Sequence, residues 1–206
     1  MRRSQFHLLR SRRFAPLFVT QFLGAMNDNL FKQALVILIT FRLAQQTGLD
    51  GQILVTVAAG VFIVPFFLFS ATAGQLADKF EKARSIRLIK IFEILIMGLA
   101  VVAFYLDDSH LLLGVLFLMG TQSAFFGPLK YGILPSHLHD DELIGGNALI
   151  EGATFLAILI GTIAGGLVIL TETGATIISV SIVVFAVLGW IASTFIPRSE
   201  APAPQL

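Results

Sequence analysis

Asp28, Lys32, Lys130 and Glu151 stand within or at the ends of long apolar stretches, where an ionised group needs a reason. Gln21, Gly24, Asp28 and Lys32 recur at three- and four-residue spacing, which puts them on one stripe of a helix. An ionised aspartate near the middle of a membrane span costs roughly 2.5–3.5 kcal/mol on insertion scales, so a compensating partner is expected. Lys32, one turn on, is the nearest candidate, and Asn27 and Asn29 add hydrogen-bonding capacity. Two readings are open: an internal Asp28–Lys32 pair that ties a bundle together, or a site lining a polar cavity for a headgroup or a proton.

A second constellation runs from Thr121 to Pro135 and combines Gln122, the helix breaker Pro128 and Lys130. Gly127 and Gly132 would let a neighbour or ligand approach. Lys130 reads either as a lysine snorkelling to the interface or as a contact for a phosphate. Asn147, Glu151, Thr154, Ile158, Gly161 and Gly165 form a further helical stripe. The two glycines suit close packing, and Glu151 can meet a neighbouring cation or serve transport. Glu93, beside Arg87 and Lys90, reads as half of a local surface pair. His137 and His139 flank a polar connector and read as a solvated turn, since no other metal ligands converge.

Catalysis finds no footing. The chain has no cysteine, which excludes thiolate nucleophiles, disulfides and thiolate metal sites. An acyltransferase H-x-x-x-x-D pattern fails at every histidine, because Arg12, Val115, Glu142 and Ile144 stand five residues after His7, His110, His137 and His139. No catalytic residue, metal or cofactor is expected.

Hydrophobic residues make up 56% of the chain and charged residues 13%, with a mean hydropathy of +0.85. That composition belongs to an integral membrane protein. A net charge of +1 makes no case for nucleic-acid binding. Six stretches are long and apolar enough to span: Phe14–Phe41, Ile53–Leu76, Ser85–Leu106, Leu111–Leu134, Leu143–Leu170 and Ala175–Ile196. The first is too long for a signal peptide and carries Asp28 and Lys32. The basic residues Arg2 to Arg13, Lys79, Lys82, Arg84, Arg87, Lys90, Lys130 and Arg198 fall on one side, and only Arg42 on the other. By the positive-inside rule both ends are cytoplasmic. Tyr105, Tyr131 and Trp190 lie near span ends, where amphipathic rings settle. The expected domains are a basic N-terminus (1–13), a six-helix transmembrane domain (14–196) and a proline-rich extended tail or linker (197–206).

The connector Gly74-Gln75-Leu76-Ala77-Asp78-Lys79-Phe80-Glu81-Lys82-Ala83-Arg84 resembles the loop between helices two and three of the major facilitator superfamily, G-x-L-a-D-r-x-g-r-r. The resemblance implies a gating loop of Gly74, Asp78, Lys82 and Arg84. Gly74 would permit close backbone approach, and Asp78 would pair with a base or cap the next helix. Glu81 departs from the pattern, where the family has glycine.

Three further segments carry a narrower likeness: Gln21–Asn29, Lys130–Leu134 and Gly146–Thr154, continued by Gly161–Gly166. They are similar to the bacterial lysophospholipid transporter family, whose members are often fused to acyltransferases. The likeness runs from about Pro16 to Leu170. It implies an all-α fold, the N-terminal six-helix half of a major facilitator bundle, multi-pass in a bacterial inner membrane. It further implies a carrier that brings lysophospholipid to the inner leaflet for reacylation, with Asp28 and Lys130 at the headgroup. Lys32, Asn29, Gln122 and Glu151 complete the candidate path. Such transporters have about twelve helices in two halves, so a missing second half, or a second copy, is the expected partner beside the lipid. Alternatives are a carrier for another solute, with Asp28 as a proton site, or a membrane anchor for a downstream acyltransferase.

Overall fold

The computed structural model describes residues 5–40, 50–201, 203 and 205. Arg2, Arg3, Arg42, Pro202, Pro204 and most of the first connector lie outside the described residues. The described residues form helices joined by short turns, with no strand among them. A 3-10 turn over Gln5–Arg10 precedes α1 (Ala15–Leu38), α2 (Gly51–Lys79), α3 (Lys82–Leu106), α4 (Ser109–Gly132), a short α5 (Leu134–His137), α6 (Asp140–Ile169) and α7 (Gly174–Thr194).

Local chemistry sets the boundaries. Asp50, Glu81 and Asp108 each accept amide hydrogen bonds from the first turn of α2, α3 and α4, satisfying donors that a helix start leaves orphaned. Asp107 ends α3 in a left-handed conformation at φ 53°, a geometry aspartate tolerates better than most residues. Asp140, Asp141 and Glu142 open α6, placing negative charge at the positive end of the helix dipole. Both Pro65 and Pro128 lie inside unbroken helices.

α2, α3, α4 with α5, α6 and α7 are long and apolar enough to cross a membrane. α2 alone extends about 43 Å at 1.5 Å per residue, against a hydrocarbon core of about 30 Å. Large apolar side chains such as Phe67, Leu95, Phe155, Leu167 and Val180 point outward, as lipid contact requires. The protein is thus a multi-pass membrane bundle. α1 differs from expectation. Its 24 residues are long enough, but its polar stripe leaves it less apolar than the other five, and it packs centrally between α6 and α7.

Helix pairing is α1 with α6 and α7, α4 with α2 and α3, and α3 with α7. Exchanging α1, α2, α3 for α4, α6, α7 leaves this pattern unchanged, the signature of two three-helix repeats. Glycines bring the tightest pairs together. A Cβ at Gly161 or Gly165 would strike the backbone of Met26 or Leu30 in α1, and one at Gly120 would strike the carbonyl of Phe62 in α2. The packing role expected of Gly161 and Gly165 is therefore met.

The apolar interior falls into two clusters. One holds Leu30, Phe31, Met97, Leu116 and Ile182. The other holds Leu8, Phe14, Ile86, Leu129 and Ile196. Between them, at the level of residues 21–29 of α1, 90–93 of α3 and 122–123 of α4, runs a belt of buried polar groups.

Candidate functional site

A cavity of about 410 Å³ opens onto that polar belt. α1 contributes Gln21, Gly24, Asp28, Asn29 and Lys32 from its single polar stripe, which the three- and four-residue spacing puts on one side. α4 contributes Gln122, Ser123, Phe126 and Lys130 and α3 contributes Lys90, while Phe62 and Phe66 of α2 and Ile158 of α6 form apolar flanks and Thr154 of α6 adds a hydroxyl. The cavity thus joins a charged region to aromatic walls, the combination an amphiphile needs.

Asp28 and Lys32 share the cavity but form no ion pair within 4 Å, which goes against the internal-pair alternative of the two readings. The Asp28 carboxylate instead accepts a hydrogen bond from Ser123 Oγ at 3.0 Å. Its other oxygen, Oδ1, is buried without a partner. Lys32 lies over the Phe62 ring, Nζ 5.0 Å from the centroid, where the ring face attracts the ammonium. Asn29 turns back to donate to the Ala25 carbonyl at 2.7 Å. Gln21 donates to Thr154 at 2.8 Å, joining α1 to α6.

Lys130 lines the cavity at 13% side-chain exposure and approaches Glu151 at 3.9 Å. Its ammonium also lies 4.6 Å from the Tyr131 ring centroid. Glu151 accepts a hydrogen bond from the Tyr131 hydroxyl. Its side chain is 42% exposed and stands outside the cavity lining, so it reaches the site only through its partners.

Glu93 and Lys90 are not on the surface. Each is 1% exposed, and they form an ion pair at 2.5 Å. The sequence places them three apart, which foretells the pair. Their depth is hidden, because a charged pair beside Arg87 near the start of a span reads as surface, whereas both fall on the buried face of α3 with Ile86 and Met97. Ser123 lies within the constellation from Thr121 to Pro135 but is not singled out there, since a neutral hydroxyl carries no charge signal.

The loop of residues 74–84 departs from expectation at several points. Asp78 is exposed, and among the described residues it neither pairs with a base nor caps α3. Glu81, the departure from the superfamily pattern, is the cap: its carboxylate accepts from Ala83 at 2.9 Å and Arg84 at 2.8 Å. Gly74 has no described atom within 4 Å of where a Cβ would stand, so the close approach expected there is not made within these residues. The same holds for Gly127, whereas Gly132 does admit a neighbour, the Lys82 side chain. Lys82 is buried at 2% exposure with Nζ unpartnered, and only Arg84 of the two is solvent-facing.

The described residues of the proline-rich tail pack back against the start of α3 and the end of α2. The Ser199 amide donates to Glu81 at 2.9 Å and the Ala203 amide to the Asp78 carbonyl at 3.1 Å. Burial opposes the Glu81 charge, but the amide bonds from Ser199, Arg84 and Ala83, with Arg87 nearby, outweigh it and hold the carboxyl below its ordinary value. His137 is buried in α5 rather than in a solvated turn, while Arg13 donates to its carbonyl and to Glu142. No group of three His, Asp or Glu suited to a metal occurs among the described residues.

No family model matches the chain. It is 31% identical over 194 residues to the lysophospholipid transporter LplT of Cronobacter sakazakii, covering 94% of this chain and 45% of that protein. The LplT of Serratia proteamaculans is 31% identical over 198 residues, covering 96% and 46%. That of Yersinia pestis is 31% identical over 193 residues, covering 94% and 44%. The chain is a homologue of the lysophospholipid transporters. It spans less than half the length of the lysophospholipid transporters it matches. The alignment takes in nearly all of this chain, so the cavity helices α1, α2, α3, α4 and α6 lie within the region shared with lysophospholipid transporters.

Proposed function

We propose that this bundle forms one side of the path by which a lysophospholipid crosses a bacterial inner membrane, without chemical change, for reacylation on the cytoplasmic side. The observation that carries the reading is a cavity whose lining runs from Asp28, Lys32 and Lys130 to Phe62 and Phe66, in a homologue of proteins named lysophospholipid transporters. A lysophospholipid has a charged head and one acyl chain, and such a lining offers each part its own surroundings. Lys130 and Lys32 suit the phosphate, while the free oxygen of Asp28 suits a hydrogen-bond donor on the head.

A second bundle, in the same polypeptide or in another copy, closes the path opposite the cavity. This follows the two-half design of such carriers, with cargo held between halves. Both ends of the chain face the cytoplasm, as the clustering of lysine and arginine requires. A downstream or fused acyltransferase is the natural consumer of the delivered lipid.

The test is transport of labelled lysophosphatidylethanolamine into proteoliposomes that hold the full natural polypeptide. Time-dependent entry, abolished by Asp28→Asn with Lys130→Gln, is expected. A folded protein that moves no lysolipid overturns the reading.

A further inference from the structure

Lys90 lines the inner wall of the cavity and Glu93 is paired with it, so two charges are buried in the middle of α3. Burying an ion pair gains little stability over apolar packing, so Lys90 and Glu93 need another reason to be there. The hydrogen bonds supply one. Glu93 collects three donors: Lys90 Nζ at 2.5 Å and Gln122 Nε2 at 3.1 Å on Oε2, and Asn27 Nδ2 at 3.3 Å on Oε1. With its nitrogen on Glu93, the Gln122 amide must turn its oxygen the other way, and that oxygen accepts from Ser123 Oγ at 3.3 Å, sharing the single hydroxyl hydrogen with Asp28. Ser123 in turn holds Asp28 Oδ2 at 3.0 Å. The run Lys90–Glu93–Gln122–Ser123–Asp28 crosses from α3 through α4 to α1. It ends by fixing one oxygen of the cavity carboxylate and leaving the other, Oδ1, without a partner.

Gly24 supports this independently. It belongs to the same polar stripe as Asp28, and a Cβ there would collide with Lys90 Nζ. The Lys90 ammonium also lies 5.1 Å from the centroid of Phe126, a cavity residue. α1 is therefore shaped to receive the cation of α3 one turn from the carboxylate.

We propose that Lys90 and Glu93 are positioning residues for Asp28. The pair orients the Gln122 amide, the Gln122 oxygen steers the Ser123 hydroxyl it shares with Asp28, Ser123 holds one carboxylate oxygen, and the second is left for the cargo. This rests on the reading of the cavity as the headgroup site.

Two measurements on the full natural polypeptide test it. In transport, Glu93→Gln is expected to raise the apparent KM for lysophosphatidylethanolamine roughly tenfold, the scale of losing a hydrogen-bonded orienting group. It should do nothing further in an Asp28→Asn background. Equal losses in both backgrounds would show a merely structural pair and overturn the proposal. Ser123→Ala leaves the buried pair intact and cuts the relay at its last link, so it should reproduce the KM rise. A wild-type KM in a folded Ser123→Ala protein overturns the proposal even if Glu93→Gln does not fold. The second measurement is a double-mutant cycle of melting temperatures between Glu93→Gln and Asp28→Asn. Coupling supports the relay and additivity overturns it, whether or not the protein moves lysolipid; absent transport would instead sink the functional reading.

Discussion

The backbone amide of Ser199 donates to Glu81 at 2.9 Å, so one carboxylate both caps α3 and fastens the tail beyond α7. Replacing it, as in Glu81→Ala, removes a helix cap worth about 1 kcal/mol and frees the tail. A lower melting temperature and faster proteolysis between Arg198 and Ala203 are expected. Because the carboxyl is held below its ordinary value of 4.5, its contribution is complete above that pH. It is lost as pH falls through the folded value. A melting curve in detergent at descending pH should therefore show a step below about pH 4.5 that Glu81→Ala lacks.

Gly161 meets the Met26 carbonyl with no room for a side chain. Gly161→Leu should cost about 1–3 kcal/mol or more by overpacking, whereas Gly98→Leu, with no described atom nearby, should be mild. Thermal denaturation of both variants decides. Equal tolerance would mean that α1 and α6 do not pack this closely.

Lys130 and Glu151 stand 3.9 Å apart at the cavity edge. If the lysine serves the cargo, Lys130→Gln should cut transport at least about tenfold. Glu151→Gln, which keeps an acceptor for Tyr131 and only removes a competitor for the lysine, should cost less. A larger loss from Glu151→Gln would reverse the assigned roles.

Lys82 is buried with its ammonium unpartnered among the described residues. An unpaired buried charge is costly, so Lys82→Met, which keeps the stem that packs on Gly132, should hold or raise the melting temperature. A clear fall would reveal a partner for the ammonium beyond the described residues.

Much of the fold was legible because a bilayer leaves few options: long apolar runs between polar connectors read directly as α2, α3, α4, α6 and α7. The stripe from Gln21 to Lys32 was legible for the same reason, since helical spacing alone puts it on one face. What escaped was decided between helices. Asp28 chose Ser123 over Lys32 because α4 brings a hydroxyl against it, and no spacing within α1 can reveal that. Glu81 read as a flaw in a loop pattern, yet its shape suits the start of α3 and the tail that returns over it. Lys90 and Glu93 read as superficial because charge is usually superficial; only the packing of α3 on α4 and α7 seals them.

The glycine contacts of α6 on α1 and of α4 on α2 have a mechanical consequence. Where backbone meets backbone, neither helix can slide without collision, so each pair behaves as a stiff plank. The planks are joined through α3 and α7, while α1 and α4 touch each other little. The cavity lies along that thin seam. α1 and α4 meet across that seam through the Ser123–Asp28 hydrogen bond and through Glu93, which takes Asn27 on one side and Gln122 on the other, so a rigid shift of one plank against the other would have to break these contacts.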